Sequence, residues 1–136
     1  MTDPILDVQG LTVEFAMGKG PDSRRVRAVD RVSFQLQRGQ TMGIVGESGS
    51  GKSVTSLAIM GLVPTPPGQV SAGRILFTAE SGQAPVDLLE VPRRKLRRYR
   101  GGQTAMIFQD PMSPLNPVHT CGLQLIEATR QHQRTP

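Results

Sequence analysis

The stretch that decides the fold is "GIVGESGSGKSVTSLAIMG", residues 43–61. Glycines 46, 49 and 51 and serines 48 and 50 crowd into six residues, Lys52 follows at once, and the chain then turns apolar. Flexible linkers are also rich in Gly and Ser, so the flanks must decide. Upstream, "TMGIV" (41–45) is a short apolar run without polar alternation, which predicts a strand buried on both faces. Downstream, Val54, Leu57, Ala58 and Gly61 recur at helical spacing until Pro64, Pro66 and Pro67 close the segment. A buried strand, a glycine-rich loop and a helix with no spare length describe a phosphate-binding loop. Gly46, Gly51, Lys52 and Ser53 fit the pattern G-x-x-x-x-G-K-[ST].

Each position has a physical task. Gly46 can supply the backbone turn off the strand. Gly49 and Gly51 remove side chains where backbone must approach phosphate. Successive N–H groups then form an anion-binding concavity. The helix adds its unpaired N-terminal donors and the positive end of its dipole. Lys52 can reach the β- and γ-phosphates, and the Ser53 hydroxyl can sit on Mg²⁺.

Outward from the loop, the coarse organisation is short elements with frequent breaks, as 15 Gly and 11 Pro in 136 residues require. Residues 5–15 alternate after Gly10 (Leu11, Val13, Phe15) and predict a strand. Residues 26–37 carry the alternation Val32, Phe34, Leu36 and predict a second. A further strand is expected at 74–79, a loop at 81–85, and a short basic helix at 92–100 with Pro92 in its first turn. "TAMIF" (104–108) is a second candidate buried strand, "QDPMSPLNPVHT" is too proline-rich for a regular element, and 121–132 resume helical character.

The net charge of +5 is local, because Arg93, Arg94, Lys95, Arg97, Arg98 and Arg100 share one window. Only Tyr99 interleaves with them, so a stacking platform for nucleic acid is missing and none is expected as a partner. At helical spacing the charges spread around the axis, so the default is a solvated helix, with anionic lipid heads or cytoplasmic loops of a membrane partner as alternative neighbours. Cys121 is the sole cysteine, which excludes an intrachain disulfide, and with His119 it falls short of the four ligands of a structural zinc site. Acidic residues at the start argue against a signal peptide. No apolar run nears the roughly 18 residues of a membrane span. The D-x-x-G form at 7–10 precedes the loop and no N-K-x-D motif occurs, so adenine is expected over guanine.

On "AVDRVSFQLQRGQTMGIVGESGSGKSVTSLAIMGL" and "AMIFQDPMSPLNPVHTCG" the chain resembles the amino-terminal part of ABC transporter ATP-binding subunits, and within them the oligopeptide/dipeptide (and nickel) importer group. The second stretch is the more specific. The resemblance implies an α/β fold: a partial P-loop NTPase with N-terminal antiparallel strands, residues 1–136 forming one incomplete domain cut before the helical signature region. It implies ATP and Mg²⁺ as cofactors. Gly46, Glu47, Ser48, Gly49, Ser50, Gly51, Lys52, Ser53 and Val54 become nucleotide contacts, with Ser53 also on the metal. Gln109 matches the Q-loop glutamine, which touches Mg²⁺ and couples the site to transmembrane subunits. Phe15 falls where the family places an aromatic on adenine; equally, it is an inward residue of a strand. A rival reading makes Asp110 a metal-binding acid ending the run 104–108, but Gln109 interrupts that run and no Glu follows.

The signature sequence, an apolar run ending in Asp-Glu and a downstream switch histidine are not found in these residues. The resemblance therefore implies a motor subunit that hydrolyses ATP with permease subunits and a second ATP-binding subunit, on the cytoplasmic face of the plasma membrane. This chain by itself is expected not to complete the reaction. The alternatives are a non-transport ATPase of the same fold acting on nucleic acid, or a nonfunctional remnant. A parallel-sheet strand needs neighbours on both sides, so the two buried-strand readings at 41–45 and 104–108 also predict marginal stability for the chain in isolation.

Overall fold

The computed structural model describes residues 3–18, 23–109 and 115–132. Its elements are β1 (Leu6–Met17), β2 (Arg24–Leu36), α1 (Lys52–Ile59), β3 (Gly68–Phe77), β4 (Val86–Asp87), α2 (Arg93–Tyr99) and α3 (Cys121–His132). Contacts divide the chain into two units, Met1–Leu96 and Arg97–Pro136.

The first unit is built on an antiparallel sheet in the order β2-β1-β3-β4. The expected strands at 5–15 and 26–37 are present, and the one expected at 74–79 begins earlier, at Gly68. β1 lies at the centre because its apolar side chains can be covered from both neighbours. Its register against β2 slips at three places, between Val8 and Leu11, Leu11 and Val13, and Val13 and Glu14, the first around Gly10 at φ 57°. Such a bulge shifts which side chains face inward. Val8, Leu11 and Val13 are thereby all buried, together with Val29 of β2 and Ile75 and Phe77 of β3. The gap is closed by polar groups: Gly10 N–H donates to Ser33 Oγ at 2.8 Å, and Arg31 N–H donates to Thr12 Oγ1 at 3.2 Å. Gly73 completes the arrangement, since a Cβ there would lie 2.6 Å from Leu11 Cα.

β4 is short and was not anticipated. Its Asp87 carboxylate reinforces the two-pair ladder to β3, accepting from Ile75 N at 3.2 Å, Leu89 N at 3.1 Å and Arg74 Nε at 3.1 Å. α1 contributes Ala58 to the core, and Val63, Leu88 and Leu96 extend it.

In the second unit, Thr104 bridges Arg100 and receives no longer strand. Thr120 caps α3, its hydroxyl accepting from Leu123 N at 3.3 Å. Gln124 clasps the preceding turn, donating to the carbonyls of Asn116 and His119, both at 3.0 Å.

Two expectations fail. Residues 41–45 and 104–108 are not strands, and they are not buried: Val45 is 93% and Ile107 94% exposed. Ile44 and Phe108 are exposed as well. Continuous apolar composition gives a segment the capacity to be buried, but a strand exists only through a ladder to a neighbour. Among the described residues neither run has such a ladder, Thr104 making only an isolated bridge to Arg100. The apolar faces of both therefore meet solvent.

Candidate nucleotide-binding loop

The loop enters α1 through Gly51, the N-cap, at φ 90°. Few residues other than glycine hold that conformation. A second constraint acts on the same atom: a Cβ on Gly51 would collide with the Ala28 carbonyl oxygen and lie 3.4 Å from Val29 Cγ2. Gly51 is thus required by the approach of the loop to β2, a cause invisible in the motif. Thr55, buried in the first turn, anchors the same point, its N–H and hydroxyl both bonding the Gly51 carbonyl at 2.8 and 2.9 Å.

Gly46 also departs from its expected task. It does not have positive φ. Ser50 folds over it, with Ser50 Oγ only 2.6 Å from where a Cβ would stand, so a side chain at 46 would displace the Ser50 hydroxyl. Gly49 takes φ 82° in open space, the turn that Ser50 N–H closes onto the Glu47 carbonyl at 3.2 Å.

Lys52 reaches back across this ring. Its ammonium donates to the Gly46 carbonyl at 2.8 Å, the Glu47 carbonyl at 2.6 Å and Ser50 Oγ at 3.2 Å. An ammonium has three donors, and all three are directed into the loop. The positive charge is held at the mouth of the loop in one place, and Ser50 is the acceptor that motif reasoning assigns no such part. Beside it, the start of α1 has no side-chain cap and no acid in its first turn. The first amides of a helix lack intrahelical acceptors, so Lys52, Ser53 and Val54 present donors that the protein does not itself satisfy with a cap. Ser53 stands exposed on that turn, and Glu47 and Ser48 are exposed on the loop. Fixed cation, uncapped helix start and open hydroxyl together make a donor set suited to a polyphosphate and its metal.

The remaining candidates lie elsewhere. Phe15 is half-buried near the end of β1, opposite Val26 and Gly68. Its ring edge comes 2.8 Å from the site of a Cβ on Gly68, beside Val63, so Gly68 is kept bare for the ring. This is the strand-packing position foreseen as one of the two readings. Gln109 belongs to the second unit and is exposed. Asp110, the rival metal-binding acid, lies outside the described residues.

A family model described as ABC transporter matches residues 29–134, which takes in the loop, α1 and Gln109. The chain belongs to the ABC transporter family. Within the family its sequence is similar to the dipeptide transport ATP-binding protein DppD of Escherichia coli strain K12, at 46% identity over 129 residues covering 95% of this chain and 36% of that protein. It is 48% identical to the Haemophilus influenzae protein of the same name over the same shares, and 44% identical to the probable D,D-dipeptide transport ATP-binding protein DdpD of E. coli over 98% of this chain and 38% of the relative. The chain therefore spans little more than a third of the length of these family members. No helix among the described residues is long and apolar enough to cross a membrane.

Proposed function

We propose that the chain binds ATP with Mg²⁺ through residues 46–54, as the amino-terminal part (residues 1–136) of an ATP-binding domain serving a peptide importer. The observation that carries this reading is the Lys52 ammonium fixed on the Gly46 and Glu47 carbonyls beside the uncapped start of α1. An anion placed there meets a positive charge already held in position, so little side-chain freedom is lost on binding. Gly46, Glu47, Ser48, Gly49, Ser50 and Gly51 line the backbone path around the phosphates, and Val54 adds a helix amide. Ser53 is the group of the loop that would hold Mg²⁺, which supplies charge neutralisation at the phosphates, and the family resemblance assigns Gln109 to the same metal. Phe15 offers the exposed remainder of its ring to adenine.

The relatives' names, which all specify peptide transport and ATP binding, support the transport assignment. On this reading the longer protein hydrolyses ATP, docks on permease subunits at the inner face of the membrane and pairs with a second ATP-binding subunit. The chain alone holds nucleotide without turning it over.

Equilibrium dialysis tests the nucleotide reading. Mg·ATP is expected to bind and AMP is not, because AMP lacks the β- and γ-phosphates that Lys52 reaches. Equal retention of the two would refute a phosphate-directed site.

A further inference from the structure

Helix α2 carries Arg93, Arg94, Lys95, Arg97 and Arg98 around one buried residue, Leu96. The buried residue fixes the rotation of the helix. At about 100° per residue, Arg94 and Arg98 then point away from Leu96, and Lys95 and Arg97 flank them within about 80° on either side. What the sequence suggests is charge scattered around an axis; with Leu96 turned inward it is one outward basic face. All five cations are exposed. Among the described residues none of the five makes an ion pair or a side-chain hydrogen bond. The acids just before the helix do not relieve them: Asp87 is engaged with Arg74, and Glu90 is exposed without an ion pair among the described residues.

Helix stability accounts for only part of this pattern. Arg97 and Arg98 stand in the last turn, where the macrodipole favours cations, but Arg93, Arg94 and Lys95 occupy the first turn, where it disfavours them, and no acid stands there. Unpaired like charges on adjacent turns also repel one another. An external anionic surface would offset the repulsion and the first-turn penalty together.

We propose that the outward face of α2 docks on the headgroups of anionic lipids in a bilayer. The inference rests on the charge pattern and on the reading that the chain works at a membrane. Nucleic acid is the poorer match. Tyr99, the one aromatic in the run, is half-buried, so no base-stacking platform accompanies the cations. Fluid headgroups, by contrast, rearrange to meet a convex patch of point charges and need no stacking.

Vesicle sedimentation with the full 136-residue chain tests it. Vesicles of phosphatidylcholine with about 30% phosphatidylglycerol are compared with pure phosphatidylcholine, at low and at roughly 0.5 M salt. Each cation near an anionic surface contributes about fivefold in partitioning. The double variant Arg94→Gln/Arg98→Gln is therefore expected to lose about 25-fold, while Arg94→Lys/Arg98→Lys keeps its binding. Far-UV circular dichroism of each variant checks that the fold is retained. Equal partition onto both vesicle types, or unchanged binding by the Gln variant, overturns the proposal. So does tighter binding to a single-stranded RNA than to the anionic vesicles at equal salt. ATP dialysis on the same samples separates the two readings. Vesicle binding without ATP binding supports the basic face and refutes the nucleotide site; ATP binding without vesicle binding does the reverse.

Discussion

Lys52→Ala is expected to abolish measurable ATP binding in equilibrium dialysis while leaving the sheet intact. The ammonium is held by Gly46, Glu47 and Ser50 of the loop. On binding it exchanges part of those loop acceptors for phosphate oxygens, its charge staying at the loop. Charge-assisted hydrogen bonds contribute about 1.5–3 kcal/mol each. Losing two of them corresponds to roughly two to four orders of magnitude in affinity. The same substitution also frees three acceptors of the ring, which loosens the loop around Ser50. None of the core side chains of β1 or β3 touches this network, so the denaturant midpoint should move little. An unchanged ATP affinity for Lys52→Ala would remove Lys52 from the site.

The second large effect belongs to Gly51→Ala, and it is a backbone effect. An L-residue forced into the left-handed region costs about 1–2 kcal/mol from φ alone. At Gly51 the new methyl also strikes the carbonyl of Ala28, a backbone atom of β2 that cannot rotate away. Gly49→Ala is the natural control. It shares a positive φ of 82° but faces open space. Gly51→Ala is expected to lower both the midpoint of chemical denaturation and ATP affinity well beyond Gly49→Ala. If the two variants behave alike, the contact with Ala28 does not shape the loop.

These two predictions differ in how far the sequence could have supplied them. The part of Lys52 follows from the spacing G-x-x-x-x-G-K-S. The collision at Ala28 does not, because it is a contact between segments more than twenty residues apart. The same division runs through the fold. β1 and β2 are legible because alternation reports directly on a half-buried strand, and α1 because its apolar period ends at three prolines. β3 starts six residues before its apolar stretch. Gly68 and Gln69, poor strand formers by composition, are recruited by pairing with Phe15 and Glu14 of β1. β4 is two residues long, too short to leave a pattern. The runs 41–45 and 104–108 were misread for the opposite reason. Their composition is strand-like, but pairing is a property of neighbours, and composition carries no information about whether a neighbour is there. At the loop itself, the motif marks Gly46, but it does not show that the Ser50 side chain lies over that position or that its φ is not positive.

The central claim is that the backbone amides from Gly46 to Val54 encircle a triphosphate. Amide chemical shifts of the ¹⁵N-labelled chain, followed as Mg·ATP is added, test it most directly. The account predicts saturable shifts concentrated at residues 46–54, with β1 and β3 amides nearly still and AMP without comparable effect. Shifts spread across the sheet with residues 46–54 unmoved would contradict it.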